Sequence, residues 1–178
     1  MNQLSLFSEL HEEKKSVDIE RSEDLKSNHR WQLFVDGASR NNPGKSGAGI
    51  YILKDEQEVL KQGFFLGIKT NNEAEYLATI LGLFFIDKQF KKGDSLSVIS
   101  DSLLVIRQLE GSYKVRKKEL LPLHRLAYDL IKRYRGTVTH VLREYNTHAD
   151  AMANQGIDKV IMVPQEFIYR LQSHGIIL

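Results

Sequence analysis

Cysteine is absent from all 178 residues, which excludes disulfides and thiolate metal sites. No apolar run approaches the roughly 20 residues that span a bilayer. The N-terminus shows no basic stretch leading into an apolar one, so no secretory signal is read there and a cytoplasmic location is expected. Internal repeats and low-complexity tracts are missing as well. Nor does one sign of charge dominate, the formal net charge being +2. What is present suits one folded domain with a real core: 42% apolar residues and 9% aromatic. A monomer is the default expectation. The charge is uneven. Residues 1–30 hold five Lys/Arg against seven Asp/Glu, which leaves +4 on residues 31–178. A mildly basic domain is compatible with nucleic acid without requiring it.

One stretch organises the rest. Leu33-Phe34-Val35 reads as the end of a buried strand that runs into a single carboxylate, Asp36, and then a glycine. A bare Asp at the end of a core strand is costly unless a basic partner or a metal compensates it. A domain over 31–178 therefore begins with a strand over about 31–38. Asn41-Asn42-Pro43-Gly44 is a turn signal. Strands follow at about 47–54 and 58–67, completing an antiparallel meander. Asn71 or Asn72 caps a helix over about 73–87, whose apolar residues recur at helical spacing. A short strand over 96–100 ends at Asp101. Helices are expected at 102–110 and 117–134, a fifth strand at 137–143, a helix opening at 148–156, and a short one within 163–175. This order predicts an α/β fold with a five-stranded mixed sheet, three antiparallel strands and then two parallel, flanked by helices.

Four carboxylates stand out by position. Asp36 and Asp101 end neighbouring strands and can lie side by side at one sheet edge, where open α/β sheets place their ligand sites. Glu75 lies in the first turn of the long helix and Asp150 near the start of a late one. Four such charges in one cleft repel each other without a cation, and hard oxygen donors point to Mg²⁺ or Mn²⁺. Each has a plainer role open to it: Asp101 as an N-cap, Asp150 as a surface helix residue, and Glu75 in competition with Glu73, two positions away.

In order, the chain reads DGASRNNPG, GAG, TNNEAEY, SDS and REYNTHADAMAN. This series resembles ribonuclease H, type 1, over about Trp31 to Asn154. The resemblance implies a ribonuclease H-like fold and hydrolysis of the RNA strand of RNA–DNA hybrids, with two Mg²⁺ ions and products bearing 5′-phosphate and 3′-hydroxyl ends. It implies metal ligands at Asp36, Glu75, Asp101 and Asp150, with Glu73 the solvent-facing neighbour. Ser39, Asn42, Asn71 and Asn72 match positions that contact the RNA strand or the two-strand boundary, and Thr70 matches a residue that grips a DNA phosphate; the Asn residues also suit turns and a helix cap. The alternatives are a same-fold nuclease that also takes double-stranded RNA, and a non-catalytic nucleic-acid-binding module.

The chain departs from the family in three places. Many members carry a His on a loop before the last helix. Here Arg143-Glu144-Tyr145-Asn146-Thr147 is short, and neither His140 nor His148 is a clear equivalent. Arg143 resembles the residue of short-loop, archaeal-type relatives and suits a phosphate; a surface ion pair is its other role. The basic protrusion of some relatives is absent, and Lys114, Arg116, Lys117 and Lys118 stand either in its place or as a solvated helix end. Residues 1–30 do not resemble the hybrid-binding domain of some members. They read as a flexible tail, headed by Gln3-Leu4-Ser5-Leu6-Phe7. Gln3, Leu4, Leu6 and Phe7 resemble the bacterial sliding-clamp-binding peptide, which implies a clamp as partner.

Overall fold

The computed structural model describes residues 28–178, so the clamp-like peptide over residues 3–7 lies outside the described residues. Five strands form one sheet: β1 (Arg30–Arg40), β2 (Gly44–Lys54), β3 (Gln57–Lys69), β4 (Ser95–Ser100) and β5 (Thr137–His140). Their order across the sheet is β3-β2-β1-β4-β5. The first three pair antiparallel, β4 joins β1 parallel, and β5 joins β4 parallel. This is the predicted mixed sheet. β1 and β2 run further than expected and leave only residues 41–43 as the turn, because Ser39 pairs with Ser46 and Arg40 with Lys45. β5 stops three residues early. Its chain turns instead into one 3₁₀ turn at Arg143–Tyr145.

Two helices sandwich the sheet. The first, α1 (Asn71–Asp87), is buried on nearly every side. The sheet residues Leu33, Val35 and Ile50 lie under it, and α3 (Leu121–Arg133) and α5 (Gln165–Ser173) cover its back through contacts such as Phe84 to Phe167, 5.6 Å between rings. A helix apolar all round belongs in such a position. Each large side chain buried there contributes about 1.5–3 kcal/mol. The cap of α1 corrects the sequence reading. Thr70, not Asn71 or Asn72, is the N-cap, and Glu73 turns back to it in a capping box. Glu73 accepts from the Thr70 amide at 2.8 Å and from its hydroxyl at 2.6 Å, so it is not a free surface acid.

The opposite face holds α4 (Thr147–Lys159). It lies almost on the backbone of the sheet. A Cβ on Gly49 would fall 1.9 Å from the Ala149 carbonyl oxygen, and one on Gly63 would fall 1.8 Å from that of Met152. Small residues on the strands are what let this helix, and Asp150 with it, sit close to β1 and β2. The remaining helix, α2 (Leu103–Leu109), follows β4, and a 3₁₀ turn at Lys118–Leu120 leads into α3. Among the described residues no helix is long and apolar enough to cross a membrane.

Candidate active site

β1 and β4 run parallel, with Phe34 level with Ile99. Two residues on, Asp36 stands within β1, which continues to Arg40, and Asp101 lies just past the end of β4. From above, α1 crosses β1 at Gly37. The Gly37 amide donates to Glu75 Oε2 at 3.0 Å and fixes that carboxylate over the strand end. From the other face, α4 brings Asp150. The chain therefore delivers Asp36, Glu75, Asp101 and Asp150 to one end of the sheet from four separate elements.

Their electrostatics are those of a crowded acidic site. Asp36 and Glu75 are each only 6% exposed. Burial, then the charges of Asp101 and Asp150, push Asp36 up to about 7, against a pull downward by Arg143. Burial, then Asp36 and Asp101, push Glu75 well above the usual carboxylate range. Two other members have protein donors. Arg143 reaches Asp150 Oδ1 at 2.5 Å. The Asn146 amide nitrogen donates to Asp101 Oδ1 at 2.7 Å. Among the described residues no three acidic or imidazole groups close on one point as a metal shell, although their charges interact: Coulomb coupling reaches further than ligation. The donor set still fits a hard divalent cation, being four carboxylates with no sulfur ligand and two of them destabilised as anions.

Asn146 is the residue that sequence reasoning missed. It stands at the N-cap position of α4 yet makes no cap bond. It is 1% exposed, and its amide also donates to the Val35 carbonyl at 3.0 Å. It thus pins the loop before α4 to β1 and to Asp101 together. An Asn before a helix reads as a cap, so no local signal marks this role. Asn146→Ala is expected to cost about 1–3 kcal/mol, the usual penalty for leaving buried partners unsatisfied, and to raise the Mg²⁺ concentration needed for half-maximal activity. Thermal denaturation and a Mg²⁺ titration check both effects.

The other predicted residues fall nearby with structural partners already assigned. The Ser39 hydroxyl donates to the Lys69 carbonyl at 2.9 Å, and Asn42 Oδ1 accepts from the Asn71 amide at 3.0 Å. These bonds tie the β1–β2 turn to the start of α1. Thr70 caps that helix, and Asn72 stands half-buried on its first turn. Asp101 is not a cap: Ser102 holds that position, and Asp101 is bonded to Asn146 instead. His140 closes β5 and is exposed. His148 Nδ1 lies 3.0 Å from Lys61 Nζ, with its ring 4.7 Å from that of Tyr51.

Sheet order, a central Asp on β1 level with an Asp after β4, and carboxylates from helices on both faces together define the ribonuclease H fold. Residues 34–156 match the family model described as reverse transcriptase-like. The chain is 36% identical to ribonuclease HI of Halobacterium salinarum over 132 residues, 72% of this chain and 65% of that protein. It is 39% identical to a bifunctional protein of Mycobacterium tuberculosis over 130 residues, 71% of this chain. The match spans only 35% of that mycobacterial protein. The crystal structure of the Halobacterium enzyme superposes with a TM-score of 0.68 at 35% identity, over 73% of this chain and 98% of that one. A compost-derived ribonuclease H1, solved in complex with an RNA/DNA hybrid, gives 0.64 at 30% identity, over 74% and 98%. The chain belongs to the ribonuclease H-like family, close to archaeal-type ribonuclease H1 proteins.

Proposed function

We propose that this chain is an endonuclease that hydrolyses the RNA strand of RNA–DNA hybrids and leaves 5′-phosphate and 3′-hydroxyl ends. The observation that carries the reading is the charge coupling that links Asp36, Glu75, Asp101 and Asp150, with Asp36 and Glu75 pushed up by burial and by the neighbouring carboxylates. Such a site is poised to bind divalent cations rather than to stay empty. The Halobacterium relative is a ribonuclease HI, and the compost enzyme was solved with a hybrid; both support the substrate class.

Asp36, Glu75, Asp101 and Asp150 would hold two Mg²⁺ ions; Mn²⁺ suits the same oxygens. Bound there, such ions supply activation of a water and charge compensation at the leaving oxygen. The chain's own residues do the positioning. Gly37 and Asn146 hold Glu75 and Asp101 in place. Arg143, whose side chain is 77% exposed beside Asp150, offers a guanidinium to a phosphate. Ser39, Asn42, Thr70, Asn71 and Asn72 line the approach from the β1–β2 turn and the start of α1. Ser39, Asn42, Asn71 and Asn72 would present amides, hydroxyls and backbone groups to the minor groove, where the 2′-hydroxyls that separate RNA from DNA lie, and Thr70 would face a DNA-strand phosphate.

Incubation with labelled hybrid, duplex RNA and duplex DNA, each with and without Mg²⁺, tests the assignment. Mg²⁺-dependent cleavage of the hybrid's RNA strand is expected. Cleavage of duplex RNA as well would widen the substrate class, and binding of the hybrid without cleavage under Mg²⁺ or Mn²⁺ would leave a non-catalytic module. Arg143→Ala is expected to lower kcat on the order of 10–100-fold by removing a charge from the phosphate. Its Tm should move little, because an exposed ion pair contributes about 0–1 kcal/mol.

The peptide Gln3-Leu4-Ser5-Leu6-Phe7 adds a recruitment element to this reading, a docking segment for a sliding clamp. Deleting residues 1–7 should weaken clamp binding at least tenfold in a pull-down or titration and leave hybrid cleavage unchanged. Undiminished clamp affinity would remove the peptide from that role.

A further inference from the structure

We propose that Ser46 is a positioning residue for hybrid recognition: with Ser39 it clasps the Lys69 carbonyl and so fixes the distance between the residues that meet the RNA strand and the residue that meets the DNA strand. The proposal rests on the ribonuclease H reading above.

Ser46 lies on β2 just before Gly47, Ala48 and Gly49, and it is 0% exposed. A buried hydroxyl costs free energy unless it is hydrogen-bonded, and Ala or Gly at this position would carry no such cost. The hydroxyl has two carbonyls in reach, Gly44 at 2.8 Å and Lys69 at 3.0 Å. Its cross-strand neighbour on β1 is Ser39, which does the same. The Ser39 hydroxyl is 2.9 Å from the Lys69 carbonyl and also bonds the Asn41 carbonyl. Two serine hydroxyls from adjacent strands thus converge on one carbonyl of a third. Each has a single hydrogen, so each is shared between the β1–β2 turn and the end of β3.

The register brings that carbonyl within reach. β3 carries one extra residue against β2 here, because Ser46 is level with Gly67 and Gly47 with Phe65. The extra residue, Leu66, turns into the core, and Gly67 takes a positive φ of 76°. A bulge of this kind bends and twists its strand. Beyond it, Gly44 is level with Lys69.

The clasp joins the two sides of the substrate approach. Thr70 follows Lys69 directly, caps α1 and matches the DNA-phosphate position. The β1–β2 turn carries Ser39 and Asn42, which match RNA-strand positions. A third tie, from the Asn71 amide to Asn42 Oδ1 at 3.0 Å, closes the same gap. Ser46 has no exposed surface of its own, so it acts only through these neighbours. A fixed spacing serves two-strand reading, because one set of contacts tests for 2′-hydroxyls while the other meets a strand that lacks them. A rim already held in its bound geometry also loses less entropy on binding.

The test is Ser46→Ala, which removes the hydroxyl without adding volume. Hybrid and duplex-RNA affinities are measured in the Asp36→Asn background, and kcat and KM in the cleaving protein. Hybrid affinity should fall about 5–20-fold. Duplex-RNA affinity should fall less than about twofold, because duplex RNA does not satisfy both sets of contacts at once. KM for the hybrid should rise by about the same factor as its affinity falls, while kcat stays within about threefold. Ser46→Cys, with a weaker donor, should lie between parent and Ala, and it carries the test if the Ala variant does not fold. Ile131→Val is the stability control. It truncates a buried core residue on α3 away from the rim, and its Tm should fall about 2–5 °C with KM and substrate preference unchanged. An unchanged KM and preference in folded Ser46→Ala overturns the proposal, and so does an equal KM rise in Ile131→Val. In either case cleavage by the parent protein leaves the ribonuclease reading standing. Absence of cleavage by the parent removes that reading, while the two affinities still judge the clasp.

Discussion

Asp36→Asn should abolish hybrid cleavage, by at least about 10³-fold, while hybrid binding persists and the metal-free protein becomes more stable. The first effect follows from its place. Asp36 alone among the four acids has the charges of Glu75, Asp101 and Asp150 all acting on or through it. The second follows from linkage. Its carboxyl titrates near 3.8 when unfolded and at about 7 when folded, so the folded state favours the protonated form. Below pH 3.8 the group costs nothing. Between pH 3.8 and 7 stability falls as pH rises, and above 7 the full penalty applies, with a ceiling on the order of 4 kcal/mol. In EDTA the Tm of Asp36→Asn should therefore exceed that of the parent most clearly at pH 8, and the gap should close towards pH 4. Mg²⁺ should narrow the gap at pH 8 by stabilising the parent, since a ligand that binds only the folded state raises its stability. Retained cleavage would take Asp36 out of the metal site. A lower Tm for the variant in EDTA at pH 8 would show that the carboxylate is compensated in the metal-free fold.

Gly37→Ala should damage fold and activity together. A Cβ there would lie 2.1 Å from the Glu75 backbone nitrogen and 2.3 Å from the Ala74 carbonyl carbon. Both are main-chain atoms of a buried helix, so no side-chain rotation relieves the clash. α1 must lift from β1, which opens the core and breaks the Gly37 amide bond that orients Glu75. Overpacking of this severity costs about 3 kcal/mol or more, some 6–12 °C in Tm for a domain of this size. Activity should fall further than the folded fraction, because Glu75 moves in the molecules that remain folded. Thermal denaturation beside specific activity per folded molecule separates the two effects. An unchanged Tm would mean that α1 does not cross β1 this closely.

These two neighbours in sequence show what local reading reaches. Asp36 is legible: β-favouring residues lead to one acid, and a buried acid needs an explanation. Gly37 reads only as a glycine near the end of the first strand, and its real constraint comes from a helix 38 positions away. The choice between Glu73 and Glu75 divides the same way. Glu73 has a local use, in a capping box that spans four residues. Glu75 is directed by a partner on another element. The cap falls on Thr70, although Asn71 and Asn72 are as good capping types, because only the backbone path separates them. The ends of β1, β2 and β5 shifted for a related reason, since pairing partners, not residue preference, decide where a strand stops.

The amino-acid order alone determined the alternation and periodicity that make five strands and the long helices, and it set which residues carry negative charge at their ends. It did so because those properties are settled within one or two turns or a few strand residues. The tertiary structure decided which carboxylates lie near enough to couple and which of them are held by Gly37, Asn146 and Arg143. Those contacts, with the bond from Asn146 to Val35, join residues up to 111 positions apart, and they exist only once α1 and α4 have closed on opposite faces of the sheet.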